Sequence, residues 1–72
     1  MNLRIKDIRE DSDLTQREIS EYLHCDQSLY SKYERNERDI PLHLMEKLAL
    51  FYNTSIDYLV GLTNEMKPYK RK

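Results

Sequence analysis

The segment TQREISEYLHCDQSLYSKYERN, residues 15–36, decides how this chain folds, because it holds two short helix signatures with three residues between them. TQRE at 15–18 is a capping box: the Thr15 hydroxyl accepts from the Glu18 amide while the Glu18 carboxylate reaches back to the Thr15 amide. The helix it opens runs to Leu23 and buries Ile19, either Tyr22 or Leu23, and the small Ser20. Asp26 is a suitable N-cap for a second helix over about 27–35, with Tyr30 and Tyr33 turned inward three residues apart. Asn36 follows, a residue that tolerates the left-handed conformation of a helix stop. Two short helices joined by so few residues cannot lie antiparallel, so they cross steeply.

Helix signals continue on both sides. Residues 2–10 place Ile5 and Ile8 on one face with Arg9 beside them. Pro41 suits the first turn of a fourth helix, which runs to Tyr52 on Met45, Leu48 and Ala49 and ends at Asn53. Ser55 caps a short fifth helix, SIDYLV, closed by Gly61, the only glycine. A lack of β-branched alternation and a wealth of Leu, Glu, Lys and Arg make the expected class all-α. Seventy-two residues suffice for one small domain, expected over 1–63. Residues 64–72, NEMKPYKRK, have little to bury and are expected to form a basic, flexible tail.

Composition excludes several classes of function. One cysteine rules out an internal disulfide and fits a reducing cytoplasm. The charged start MNLRIKDIRE is not expected to serve as a signal peptide, and no apolar run approaches membrane-spanning length. The net charge of −1 hides an asymmetry. Residues 1–63 carry 8 basic against 12 acidic side chains, whereas 64–72 carry 4 against 1. An acidic body is an awkward start for a nucleic-acid binder, since phosphate attraction supplies much of the affinity. His24, Cys25 and Asp26 stand in a row and raise the question of a reactive centre. A zinc site needs three or four ligands, and the chain offers only one other histidine, His43, and no second cysteine. No glycine-rich phosphate loop and no nucleophile–base pair is present either, so no catalytic residue, metal or cofactor is expected and the chain does not read as an enzyme.

The crossing pair, with its inward Ile19, Leu23, Cys25, Tyr30 and Tyr33, small Ser20 and Glu34, resembles the Xre/Cro-type phage-repressor helix-turn-helix family. The likeness extends from about Leu3 to Thr63 and includes the closing pattern IPLHLMEKLALFYNTSIDYLVGL. It implies a five-helix phage-repressor-like fold with the helix-turn-helix at the second and third helices. Where the family usually has glycine, this chain has His24 in the turn and Asn36 after the third helix. Asn accepts positive φ more readily than His, so the turn at His24 is the expected point of strain. Within the resemblance, His24, Cys25 and Asp26 become a turn residue, a buried apolar position and a cap.

A third helix lying in a major groove projects Gln27, Ser28, Ser31 and Lys32 away from the tyrosine face and towards base edges. Gln pairs in bidentate fashion with adenine and Lys donates to guanine, while Ser is promiscuous. Leu29 lies at the edge of this face, either against a thymine methyl or packed on the second helix. The resemblance implies that Gln16 contacts phosphate and braces Gln27; the plainer alternative for Gln16 is a solvated first-turn residue. Thr15, Arg17, Arg35, Asn36 and Arg38 would flank the groove on phosphates. For Arg35 and Arg38 the alternative is pairing with Glu37 and Asp39 inside the loop RNERD. The resemblance also implies a structural ion pair, Arg9 with Glu34, joining the first and third helices. Tyr33 is read mainly as core.

Ile56, Tyr58, Leu59, Val60 and Leu62 are more apolar than one short helix can bury. They suggest a dimer seam, or else packing against the first helix. The expectation is a cytoplasmic, homodimeric regulator of transcription, a repressor that binds double-stranded DNA at a pseudo-palindromic operator. The competing expectation is a protein-interaction role, such as an antitoxin that masks a partner toxin and regulates its own operon. The terminal KPYKRK is either a DNA-gripping extension or a solubilising remnant.

Overall fold

The computed structural model describes residues 3–67, which form five α-helices and no strand. These are α1 (Ile5–Asp11), α2 (Gln16–Leu23), α3 (Gln27–Glu34), α4 (Leu42–Phe51) and α5 (Ile56–Leu59). The order of the helices, with only three residues between α2 and α3, agrees with the expected all-α architecture. Expected capping appears at two starts. The Glu18 amide donates to the Thr15 hydroxyl at 3.1 Å and the Thr15 amide donates to the Glu18 carboxylate at 2.9 Å, completing the capping box. At α5 the Tyr58 amide donates to the Ser55 hydroxyl at 3.1 Å. Asp26 departs from expectation: it holds the extended N-cap backbone, but its side chain makes no capping hydrogen bond. Pro41 stands at the N-cap of α4 rather than inside its first turn, and its carbonyl accepts from Leu44 and Met45.

All five helices stop in the same way. A residue at positive φ (Asp13, His24, Asn36, Asn53 or Gly61) donates its amide to the carbonyl three residues back. The next amide then bonds the carbonyl five residues behind it, as in Cys25 to Ser20 at 3.0 Å and Glu37 to Lys32 at 2.9 Å. This double closure satisfies carbonyls that the helix end would otherwise orphan. Only one of the five stops is glycine, so four pay the Cβ crowding of the left-handed region, His24 at φ 57° and ψ 43° among them.

The core gathers one face from every helix. Ile5 and Ile8 of α1, Ile19 and Leu23 of α2, and Tyr30 and Tyr33 of α3 are buried. So are Leu44, Met45, Leu48 and Ala49 of α4, and Leu59 of α5. Leu23 rather than Tyr22 takes the inward position on α2; Tyr22 is exposed and its ring meets that of Phe51 at a 45° tilt, with centroids 4.7 Å apart. Cys25 is half-buried and packs on this core, as the apolar position it was expected to fill. Burial, with some help from Asp26, pushes its thiol pKa up, which disfavours the thiolate and hence nucleophilic chemistry.

Helix α5 has four residues, too few to be stable alone, and its position depends on what holds it. Leu59 is fully buried, and its carbonyl accepts from the Arg4 amide at 2.8 Å. The Arg4 guanidinium lies 4.5 Å from the Tyr58 ring centroid and donates to the Thr63 carbonyl at 2.8 Å and the Asn64 side chain at 2.6 Å. The Thr54 hydroxyl, fully buried, donates to the Met66 carbonyl at 2.5 Å. Residues 63–66, expected in part as the start of a free tail, are therefore tied back onto the body. The basic residues Lys70, Arg71 and Lys72 lie outside the described residues.

Candidate nucleic-acid interface

The α2–α3 corner determines what the outer surface presents. Tyr30 and Tyr33 fix the inward face of α3, which leaves Gln27, Ser28 and Lys32 exposed and Ser31 half-buried on the other side. Gln16, in the first turn of α2, meets Gln27, Ser28 and Ser31 around one open hollow of about 430 Å³. Four residues singled out from separate parts of the sequence thus converge on one surface. Leu29 is half-buried against the core, which matches the packing alternative rather than a fully presented apolar contact.

Beneath this hollow lies the ion pair that joins α1 to α3. Arg9 Nε donates to Glu34 Oε2 at 2.7 Å and Nη2 to Oε1 at 3.2 Å, a fork-on-carboxylate geometry. The two side chains are 11% and 1% exposed. Arg9 Nη1 also donates to the Leu14 carbonyl at 2.7 Å, which ties in the α1–α2 loop. Gln16 does not brace Gln27 as the resemblance implied; its amide donates to Glu34 Oε1 at 2.9 Å. A carboxylate with several acceptor sites is a stronger draw for that amide than a second neutral amide. Burial alone would raise the Glu34 pKa, but the hydrogen bonds from Arg9 and Gln16, with the nearby Tyr30 hydroxyl and the Arg9 charge, outweigh it and hold the carboxyl below its ordinary value. Arg9 is correspondingly held above its own by the Glu34 hydrogen bond.

Two tyrosine hydroxyls, Tyr30 and Tyr52, are buried beside this pair. The Tyr30 hydroxyl faces the Glu34 carboxylate without a well-aligned hydrogen bond. Burial first, then Glu34, holds Tyr30 protonated far above its ordinary value, and burial pushes Tyr52 up to about 12. Both stay neutral under any physiological condition.

The expected phosphate contacts divide into three places. Thr15, Gln16 and Arg17 stand at the start of α2, where backbone amides and a positive helix end favour an anion. Arg17 is exposed and pairs with Glu21 one turn on, at 3.3 Å. Arg35 ends α3 and is held by Glu37 and by the Ser31 hydroxyl, so the intraloop alternative applies to it. Asn36 and Arg38 stand further round, on the rim of a separate groove of about 350 Å³. Leu3, Ile40, Leu42, Met45, Ile56 and Val60 make that groove apolar.

The groove bears on the residues considered for a dimer seam. Ile56 and Val60 are half-buried and line it, while Leu62 is 77% exposed. Leu59 belongs to the core and has no surface to give, which corrects its assignment to a seam. Tyr58 is half-buried beneath Arg4. Leu42, 64% exposed in the same groove, was not among the residues expected there. Its place in α4, next to Pro41, gave no signal that α5 would lie alongside. Among the described residues, no three His, Cys, Asp or Glu side chains gather to hold a metal ion, and no helix is long and apolar enough to cross a membrane.

The family described as helix-turn-helix matches residues 5–59. The chain is 40% identical over 58 residues to the HTH-type transcriptional regulator ImmR of Bacillus subtilis strain 168, covering 81% of this chain and 46% of ImmR. It is 32% identical over 65 residues to the uncharacterised HTH-type transcriptional regulator YobD of the same strain, covering 90% and 58%. It is 35% identical over 58 residues to the cryptic phage CTXphi transcriptional repressor RstR of Vibrio cholerae, covering 81% and 52%. The chain thus spans about half the length of these relatives. No solved structure gives a significant match.

Proposed function

The chain belongs to the helix-turn-helix family of Xre/Cro type, and we propose that it acts in the cytoplasm as a sequence-specific DNA-binding repressor of transcription. The observation that carries this reading is the convergence of Gln16, Gln27, Ser28 and Ser31 on one open hollow, with Lys32 exposed on the same helix. In this reading α3 lies in the major groove. Gln27 and Lys32 discriminate adenine and guanine, Ser28 and Ser31 add adaptable contacts, and Thr15 and Gln16 present the α2 start to a phosphate, with Arg17 beside them held by Glu21. No step needs a cofactor, and repression follows from occlusion of the polymerase.

The groove lined by Ile56, Val60 and Leu42 supports a homodimer seam. A symmetric pair would set two recognition helices about 34 Å apart on a pseudo-palindrome. Dimerisation makes the second half-site contact intramolecular, so two weak modules give one tight complex.

The test is a selection of random duplex DNA on the purified protein, run beside Gln27→Ala and Lys32→Ala. The reading expects an enriched palindrome whose preference relaxes at one position in each variant, with about 1–3 kcal/mol lost there. A folded protein that enriches no sequence would sink it and turn attention to a protein partner.

A further inference from the structure

Arg35 ends α3 beside the proposed base-reading face, yet its guanidinium is engaged on two sides. Nε donates to the Glu37 carboxylate and Nη1 donates to the Ser31 hydroxyl. The backbone holds this arrangement in place. Asn36 turns the chain at φ 60°, and the Glu37 amide is bonded to the Lys32 carbonyl at 2.9 Å, so Glu37 is directed back over the end of its own helix. Both side chains are about half exposed, at 53% and 54%, and open to an approaching phosphate. The Glu37 carboxyl is held below its ordinary pKa by the Arg35 hydrogen bond, then by the Arg35 charge and Lys32, so it is ionised at neutral pH.

We propose that Glu37 is an internal stand-in for a DNA phosphate, occupying Arg35 so that this arginine adds nothing to the phosphate contacts of the wild-type chain. The inference rests on the DNA-binding reading and adds to it a residue that sets the balance between specific and non-specific affinity. A cation that neutralises a phosphate releases condensed counterions and steepens the dependence of log K on log salt by about 0.9. A guanidinium already neutralised by a carboxylate releases none, and its carboxylate repels the phosphate once the pair opens. Glu37 therefore withholds one unit of sequence-independent attraction at every site on the DNA. The base contacts of Gln27 and Lys32 then form a larger share of the total. Arg17, paired with Glu21, is a looser version of the same arrangement, but one turn of helix separates those partners and neither has a second hold on the other.

A double-mutant cycle on salt dependence tests this directly. Wild type, Glu37→Gln, Arg35→Ala and the double variant are titrated with the selected duplex and a scrambled duplex at several KCl concentrations. Circular-dichroism melts check that all four are folded, as expected for two exposed side chains. The proposal expects Glu37→Gln to steepen the slope by about 0.9 per subunit, or about 1.8 for the dimer, on both duplexes, which tightens binding roughly sixtyfold more at 0.1 M than at 1 M salt. Arg35→Ala alone leaves the slope unchanged, and the double variant returns to the wild-type slope. A slope flattened by Arg35→Ala alone would place Arg35 on phosphate with the pair open, overturning the proposal. Equal steepening with and without Arg35 would assign the effect to lost Glu37 repulsion and overturn it too, as would no steepening in Glu37→Gln. Failure of the wild type to bind either duplex is a different result: it rejects DNA binding itself and this proposal with it.

Discussion

Replacing Arg9 with Met removes the guanidinium while keeping most of the apolar stem, and the structure sets the size of the effect. The Glu34 side chain is 1% exposed and accepts three hydrogen bonds, at 2.7, 3.2 and 2.9 Å, of which two come from Arg9. After Arg9→Met only the Gln16 bond remains on a buried charge, and the Leu14 carbonyl loses its partner as well. Breaking one side of such a pair costs about 3–5 kcal/mol. A chain of 72 residues has roughly 4–11 kcal/mol of total stability, so the loss is a large fraction of it. With a urea dependence of about 1 kcal/mol per molar for a domain this small, the midpoint should fall by about 3 M or the protein should be unfolded outright. The double variant Arg9→Met with Glu34→Leu leaves no uncompensated charge and should recover at least about 2 kcal/mol of the single-variant loss. The pH dependence gives an independent reading. The folded-state pKa of Glu34 lies below its ordinary value of 4.5, so its stabilisation is complete above that pH and is lost as pH falls through the folded value. In Arg9→Met burial dominates and this acid-side loss should disappear. A single-variant loss under about 1 kcal/mol, or strict additivity in the double, would refute the assignment of this pair as a structural tie.

Three further outcomes follow from particular contacts. His24→Gly should raise stability by about 0.5–1 kcal/mol, since glycine carries no Cβ into the left-handed turn but costs more entropy on folding. That corresponds to a melting point about 3–6 °C higher, and a lower one would mean the turn is not under strain. Thr54→Val removes the buried donor to the Met66 carbonyl and should cost about 1–2 kcal/mol. It should also speed limited proteolysis within residues 63–67; an unchanged cleavage rate would show that this bond does not secure the strap. Leu42→Glu puts a charge into the apolar groove at a position 64% exposed, so the monomer should fold as before while sedimentation shifts from dimer to monomer. A wild type that sediments as a monomer at every concentration would remove the seam.

Much of the fold was legible because local signals agreed with one another. The Thr15–Glu18 box, the Ser55 cap and the stops at Asn36, Asn53 and Gly61 each depend on near neighbours in the chain, and each appears in the structure. Contacts across the chain were less legible. Nothing near Arg4 signals that its guanidinium will meet Tyr58, Thr63 and Asn64, since these lie more than fifty residues away. Gln16 illustrates a subtler limit. Its place in the first turn of α2 follows from the capping box, but its partner depends on whether the Glu34 carboxylate or the Gln27 amide comes within reach, which only the packing of α2 on α3 decides. Leu59 and Val60 are neighbours of similar character, yet one is core and the other lines the groove, because four residues of helix send adjacent side chains a quarter-turn apart.

The acidic balance of residues 1–63 takes on a definite meaning once the ion pairs are placed. Arg9, Arg17 and Arg35 are each matched to a glutamate, whereas Lys32 on α3 and Arg38 in the loop beyond it enter no ion pair among the described residues. A subunit therefore brings about two uncommitted cations to DNA and a dimer about four, giving a log K against log salt slope near −4. That is shallow for a repressor, and it requires base contacts and dimerisation to supply much of the specific affinity. Basic residues beyond Lys67 would add about 0.9 for each phosphate they engage, so the measurement is made on the full chain and on one lacking residues 68–72. A slope near −4 in both chains assigns the electrostatic attraction to the folded body. A slope steeper than about −7 that survives the truncation would mean that the arginine–glutamate pairs open on DNA, and the view of a body that restrains its own phosphate contacts would have to be abandoned.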